Sequence, residues 1–206
     1  RVLFRSCGQP AEPTASTSSK WRNWSGNQRA NPLQMLTPQT EQELAAAVKR
    51  ASNIRVFGGS HSFSPLVPGA DTLLSIEALH GLIEHDATQL TARLRAGTRI
   101  AACGPLLQSI GQGLINEADI NLQSVAGAIS TATHGTGLGL QCYSGYVQGV
   151  RLMLADGQAL DCSPQQHNEL YQAARAGLGA LGIITEVTLQ NRAAYRLQES
   201  VELLPL

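Results

Sequence analysis

Residues 54–64, IRVFGGSHSFS, constrain the fold more than any other stretch of the chain. Ile54, Arg55, Val56 and Phe57 read as a short buried strand, and Gly58 and Gly59 end it abruptly. Ser60, His61, Ser62, Phe63 and Ser64 follow, so a histidine is carried inside a glycine turn, where a side chain is hard to bury and easy to present.

Further elements follow along the chain. TPQTEQELAAAVKRA, residues 37–51, predicts a helix: Thr40 and Glu43 form a capping box, Pro38 blocks an earlier start, and Leu44, Ala47, Val48 and Ala51 share an apolar face. TLLSI at 72–76 predicts another short strand, and LTARLRAG from Leu90 alternates as a half-buried strand does. TRIAACGPLLQSIGQ has helical period but is interrupted at Gly104-Pro105, so Pro105 is expected to kink the helix or restart it in a first turn. YVQGVRLMLADGQAL predicts a hairpin turning at Asp156-Gly157. HNELYQAARAGLG predicts a helix closed by Gly177 or Gly179, and GIITEVTLQ a last strand. Order is expected from WRNWSGNQ, where Trp21 and Trp24 cap a core. Mixed elements with several antiparallel links favour α+β over a doubly wound sheet.

Composition narrows the function. With 206 residues, 43% of them apolar, the chain can bury one core or two small lobes sharing one. Its 15 basic and 15 acidic residues leave no net charge, and so no electrostatic footprint for nucleic acid or anionic lipid. Aromatic content of 4% argues against stacked-base recognition. Any phosphate-bearing ligand must be held by local backbone donors. Cys7, Cys103, Cys142 and Cys162 form no C-x-x-C pair, so they read as reduced thiols, with no metal site or disulfide framework. No apolar run approaches the roughly 20 residues of a membrane span.

The start of the chain reads differently. RVLFRS, residues 1–6, can be spelled in codons that match a common sequencing adapter read in frame, and is expected to be a read-through scar. GQPAEPTASTSSK then reads as a flexible linker. Localisation stays open.

Three segments could carry chemistry. In the first, Gly58 to Ser64, glycines let backbone N–H groups face inward as an anion nest. Neither G-x-G-x-x-G nor G-K-[ST] is present, and a tight turn with a surface histidine accounts for the same residues. The second, SVAGAISTATHGTGLG at 124–139, packs four glycines among small hydroxyl residues. Such a backbone could lie flat against a planar ligand or simply close a sheet. The third, GLGALGIIT at 177–185, is fully explained as a helix cap with a tight join to a strand.

RVFGGSHSFS, SVAGAISTATHGTG, LADGQAL and LGALGIITEVTL occur in that order. Together they resemble the FAD-binding (PCMH-type) domain of the vanillyl-alcohol oxidase flavoprotein family. Within it the chain is most similar to the aldonolactone oxidases, which act on L-gulonolactone or D-arabinono-1,4-lactone, and to the alditol oxidases. WRNWSGNQ is similar to the N-terminal signature of that branch. The likeness covers roughly residues 20–195.

The resemblance implies an α+β, two-lobed domain: a small parallel-sheet lobe and a larger mixed or antiparallel lobe flanked by helices. It implies FAD as cofactor, bonded through its 8α-methyl carbon to His61 as in many members of the family, or bound without that bond and with His61 as a hydrogen-bonding contact. Gly58, Gly59, Ser60, Ser62 and Phe63 would line the pyrophosphate and ribityl side. Ser124, Gly127, Ala128, Ile129 and Ser130 would lie along the flavin and diphosphate, and the Ile184 backbone would touch the adenine end. His134 and Gly135 match an H-G turn whose role is structural or a flavin contact. Ala118 falls where the family places a small residue near flavin C4a, which leaves oxidase against dehydrogenase undecided. The whole enzyme would move a hydride from a hydroxyl-bearing carbon of a sugar lactone or polyol to flavin N5, and electrons onward to oxygen or another acceptor. Residues 196–206 would begin a second, truncated domain carrying the substrate and acid–base groups, so no catalytic residue is expected in this chain. The rival reading is a non-catalytic domain of the same fold that has lost FAD and serves as an interaction module.

Overall fold

A computed structural model of the protein describes residues 15–16, 20–198, 200 and 202. Cys7, the expected scar, nearly all of the expected linker and part of the expected second-domain start lie outside the described residues. Among the described residues thirteen strands and four helices follow one another: β1 (Ala15–Ser16), β2 (Trp21–Arg22), β3 (Arg29–Ala30), β4 (Gln34–Leu36), α1 (Glu41–Arg50), β5 (Ile54–Phe57), β6 (Thr72–Ser75), β7 (Leu82–Asp86), β8 (Thr91–Arg95), α2 (Ile100–Gln108), β9 (Gln112–Gly113), α3 (Val125–Ser130), β10 (Val147–Met153), β11 (Ala159–Cys162), α4 (Asn168–Ala174), β12 (Ile183–Gln190) and β13 (Arg192–Ala193). A short 3₁₀ turn, Tyr143–Tyr146, precedes β10.

Two sheets organise these pieces. The smaller has the order β1-β4-β6-β5, with β4, β6 and β5 parallel and β1 antiparallel at its edge. The larger runs β11-β10-β12-β8-β7 and is antiparallel throughout. The α+β class and the two-lobed plan expected from the resemblance are what the structure has. One apolar core joins the lobes, running from Leu36 and Leu74 of the small sheet through Leu44 of α1 to Leu94, Leu152 and Val187 of the large one. Leu44, Leu74, Leu94 and Val187 are each fully buried. Each such side chain contributes about 1.5–3 kcal/mol relative to exposure. An ionic lattice ties α1 to the outer face of the large sheet. Arg151 pairs with Glu41 at 2.8 Å and Asp161 at 2.6 Å, and Arg93 bridges Asp161 and Glu186.

Local chemistry explains most boundaries. Thr40 caps α1, its Oγ1 accepting the Glu43 N–H at 3.1 Å. The reciprocal arm reaches one residue further than a capping box, with Glu43 Oε2 accepting the Gln39 N–H at 2.8 Å. The β10–β11 hairpin turns where expected, with Gly157 at φ +74° closing it by an N–H to the Leu154 carbonyl. Among the described residues no helix is long and apolar enough to cross a membrane.

Four expectations fail for physical reasons. First, of the two outcomes expected at Pro105, the restart does not occur, since α2 runs through the proline. Ile100, Cys103 and Leu107 bury one face across the proline, and the Ile100 and Ala101 amides bond outside the helix to the Gln123 and Asn121 carbonyls. Second, residues 125–130 form a helix rather than an open loop, because Ser124 caps it and Val125, Ala126, Ala128 and Ile129 are buried beneath it. Third, Trp21 is buried, but Trp24 is 60% exposed and caps no core. Fourth, β5 is a half-buried edge strand, since its outer side is left free beside a cleft.

Candidate functional site

That cleft, about 640 Å³, lies between the two lobes. One wall is β5 and the loop through residues 58–64. A second is Gln123, Ser124, Ala126 and Gly127 with Ser130, Thr131 and Thr133, and the third combines Met153–Ala155 with residues 178–184. The walls meet because Gly58 and Gly59 lack side chains. A methyl on Gly58 would overlap Ser124 Oγ and sit 2.9 Å from its Cβ, and one on Gly59 would sit 2.6 Å from the Leu122 carbonyl oxygen. Neither glycine has positive φ. The left-handed residue in the turn is Ser60, at φ +57°.

The loop offers donors. The backbone N–H groups of residues 59–63 have no hydrogen-bond acceptor among the described residues. A left-handed residue inside a run of free amides is the arrangement from which anion nests are built. The amides of α3 are spent differently: Val125 and Ala126 donate to the Thr98 and Ala96 carbonyls, and Gly127 to Ser124 Oγ. Of these two segments, the histidine loop has free donors and the first turn of the helix behind it does not.

His61 faces the same space. Burial holds its imidazole below the usual histidine range, and the Arg99 guanidinium pushes the same way. Arg99 is itself anchored, Nη1 donating to the Leu122 carbonyl at 2.7 Å and Nη2 lying 3.8 Å from Glu77 Oε2. A neutral imidazole keeps a nitrogen lone pair for bonding. Across the cleft, Gln123 Oε1 is buried with no partner among the described residues. An orphaned acceptor of this kind suits a ligand N–H or O–H.

Gly58, Gly59, Ser60, His61, Ser62, Phe63, Ser124, Gly127, Ser130 and Ile184 all line the cleft. Ala128 and Ile129 do not, because their side chains turn into the core. Ala118, His134 and Gly135 lie outside the lining as well. They form a separate cluster in which the Ala118 N–H donates to Tyr143 Oη at 3.1 Å, His134 Nδ1 lies 2.8 Å from the Gly135 carbonyl, and a methyl on Gly135 would sit 2.6 Å from Asn116 Oδ1. Sequence reasoning missed Gln123, and it singled out the segment at 177–185 but named only Ile184 of it as a site residue. The glycines at 177, 179 and 182 are a signal for that segment, but a helix cap explains them equally well.

FAD fits what is present. The free amides suit its diphosphate, the Gln123 acceptor suits a hydroxyl or ring N–H, and Val56, Ile76 and Met153 give apolar surface for flat rings.

Comparison with known proteins agrees. The sequence profile of the FAD binding domain matches residues 32–163. An L-gulono-1,4-lactone dehydrogenase of Mycobacterium tuberculosis is 35% identical over 86% of this chain and 42% of its own length. An alditol oxidase of Streptomyces is 34% identical over 84% of the chain and 42% of its own. A cholesterol oxidase of Brevibacterium sterolicum shares the fold with a TM-score of 0.78 at 19% identity, covering 94% of this chain and 40% of that one. The chain spans about two fifths of the length of the curated relatives it matches.

Proposed function

The chain belongs to the FAD-binding domain family of flavin oxidoreductases, and on that premise we propose that it is the cofactor-holding part of an enzyme that oxidises a hydroxyl-bearing carbon of a sugar lactone or polyol. The observation that carries the proposal is the loop of residues 59–63, where free amide donors and a neutral histidine face one cleft. Residues 20–195 are read as the cofactor domain and the chain from residue 196 as the start of the part that handles substrate. The relatives' names support the substrate class, and oxygen or another acceptor would complete the cycle.

In this reading the amides of residues 59–63 hold the diphosphate, and Gln123 Oε1 accepts a hydrogen bond from the cofactor. His61 would hold the flavin through a ring nitrogen, whose lone pair the lowered imidazole pKa leaves available for such a bond. Ser124 and Gly127 fix the wall opposite. Bound there, FAD supplies a two-electron acceptor that no side chain of the protein offers.

The test uses the chain purified from riboflavin-starved cells, so that it carries no flavin taken up during expression, titrated with FAD and followed by gel filtration. The expected result is quenched flavin fluorescence and yellow colour eluting with the protein. A folded, colourless chain that ignores added FAD would contradict the proposal.

A further inference from the structure

Residues 21–28, the β2–β3 hairpin, play no part in the cleft lining, yet they hold the histidine loop at five points. Trp21 Nε1 donates to Ser60 Oγ at 3.1 Å and the Trp24 N–H to the Ser60 carbonyl at 3.0 Å. Asn23 Nδ2 donates to the Ser62 carbonyl at 2.9 Å, while Asn27 Nδ2 and Gln28 Nε2 both reach the Phe63 carbonyl, at 3.3 and 3.1 Å. Asn23 is 1% exposed, and its own Oδ1 accepts the Gln28 N–H at 3.0 Å, so the donor that grips Ser62 is itself fixed.

The consequence follows from peptide geometry. In a trans peptide the C=O and the next N–H point in opposite directions. When the hairpin captures the Ser60 and Ser62 carbonyls, the His61 and Phe63 N–H groups are turned away from it. Those N–H groups are among the free donors of the loop. The hairpin therefore takes the acceptors and leaves the donors.

It also holds the ring. The Trp24 indole stacks on the His61 imidazole, with centroids 5.6 Å apart and planes at 24°, and meets Phe63 edge-on at 5.9 Å. Trp24 belongs to neither apolar cluster of the described residues. Among the described residues its aromatic contacts are with the loop alone.

We infer that the 21–28 hairpin is a clasp that presets the histidine loop for the cofactor, with Trp24 as the positioning residue for the His61 ring. The inference deepens the FAD reading and rests on it for the identity of the ligand. Preorganisation of this kind raises affinity by removing the ordering cost from the binding step.

The test compares the chain with Trp24→Leu, which keeps bulk but no flat ring, and Trp24→Phe, which keeps the ring. Nuclear magnetic resonance reads the His61 ring-proton shifts without FAD, and FAD titration reads affinity. In Trp24→Leu the His61 protons should lose the upfield displacement that an overlying indole imposes, and FAD affinity should fall about tenfold, with the melting midpoint held. Trp24→Phe should keep most of both. Asn23→Asp, which removes the donor to Ser62, should weaken FAD binding with the His61 shifts little changed. Wild-type shifts and affinity in Trp24→Leu would overturn the clasp. Equal losses in the Leu and Phe variants would overturn the role of the ring. Failure of the wild-type chain to bind FAD would instead strike the cofactor reading, and the ring shifts would still decide the clasp.

Discussion

Gly58→Ala tests how the cleft is closed. The added methyl meets two atoms within 4 Å, Ser124 Oγ, which it overlaps, and Ser124 Cβ at 2.9 Å. The hydroxyl can swing away, but it then gives up the Gly127 N–H that it accepts at 3.2 Å as the cap of α3. The Cβ has no such freedom, because Ser124 is 1% exposed and packed. Overpacking of this kind costs about 1–3 kcal/mol and a lost serine cap about 1 kcal/mol, so the sum is about 2–4 kcal/mol. In a chain of this size that is a fall in melting midpoint on the order of 10 °C. Ser124→Gly removes both clashing atoms and costs only a few tenths of a kcal/mol as a cap change (~0.3). The double variant should therefore recover most of the loss, with a coupling of about 2 kcal/mol in a double-mutant cycle. Urea unfolding of the FAD-free chain, followed by tryptophan emission, measures all four corners. Single-variant losses that add within about 0.5 kcal/mol would refute the contact as the reason for glycine at 58.

Further outcomes follow from the same geometry. Gln123→Leu should weaken FAD binding about tenfold by calorimetric titration. Without FAD it should leave stability unchanged or higher, since an orphaned buried acceptor costs about 1–3 kcal/mol. Burial first, and Glu117 second, push the Cys103 thiol up from 9.0 to about 12. Between those values the unfolded chain releases a proton that the native chain keeps, so stability should fall as pH rises from 9 to 12, by up to about 1.4 kcal/mol per pH unit from this group. Cys103→Ala should flatten that part of a melting-against-pH curve, leaving the alkaline slope of buried Tyr143, which is also raised to about 12. Tyr143→Phe removes the acceptor of the Ala118 N–H, and should cost about 1 kcal/mol and speed hydrogen exchange at that amide.

Much of the scaffold was legible because single residues enforce it. Thr40 and Leu44 define α1, the Ala92–Leu94 alternation defines β8, and Gly157 closes the β10–β11 hairpin. The edge strand β7 was not legible: four of its five residues are exposed, so it carries no apolar period to detect. Helix α3 was hidden by Gly127 at its centre and by its length of six residues, too short to show a helical period, and burial of Val125 and Ile129 overrides the glycine. The histidine turn stood out as a candidate, and the structure adds that its free donors are oriented by partners about forty residues upstream. No local spacing could reveal that. Trp24 looked like core for the same reason, since an aromatic residue near a glycine turn gives no hint of whether it packs inward or onto a histidine.

The measurement that bears most directly on the account is a denaturing gel of the expressed chain after acid treatment, viewed under ultraviolet light beside His61→Ala. The account predicts flavin fluorescence that migrates with the wild-type band and is absent from the His61→Ala band, while both proteins fold and bind FAD before denaturation. A fluorescent band that persists in His61→Ala, or a wild-type protein that binds FAD yet releases all of it to the acid supernatant, would contradict the bond assigned to His61.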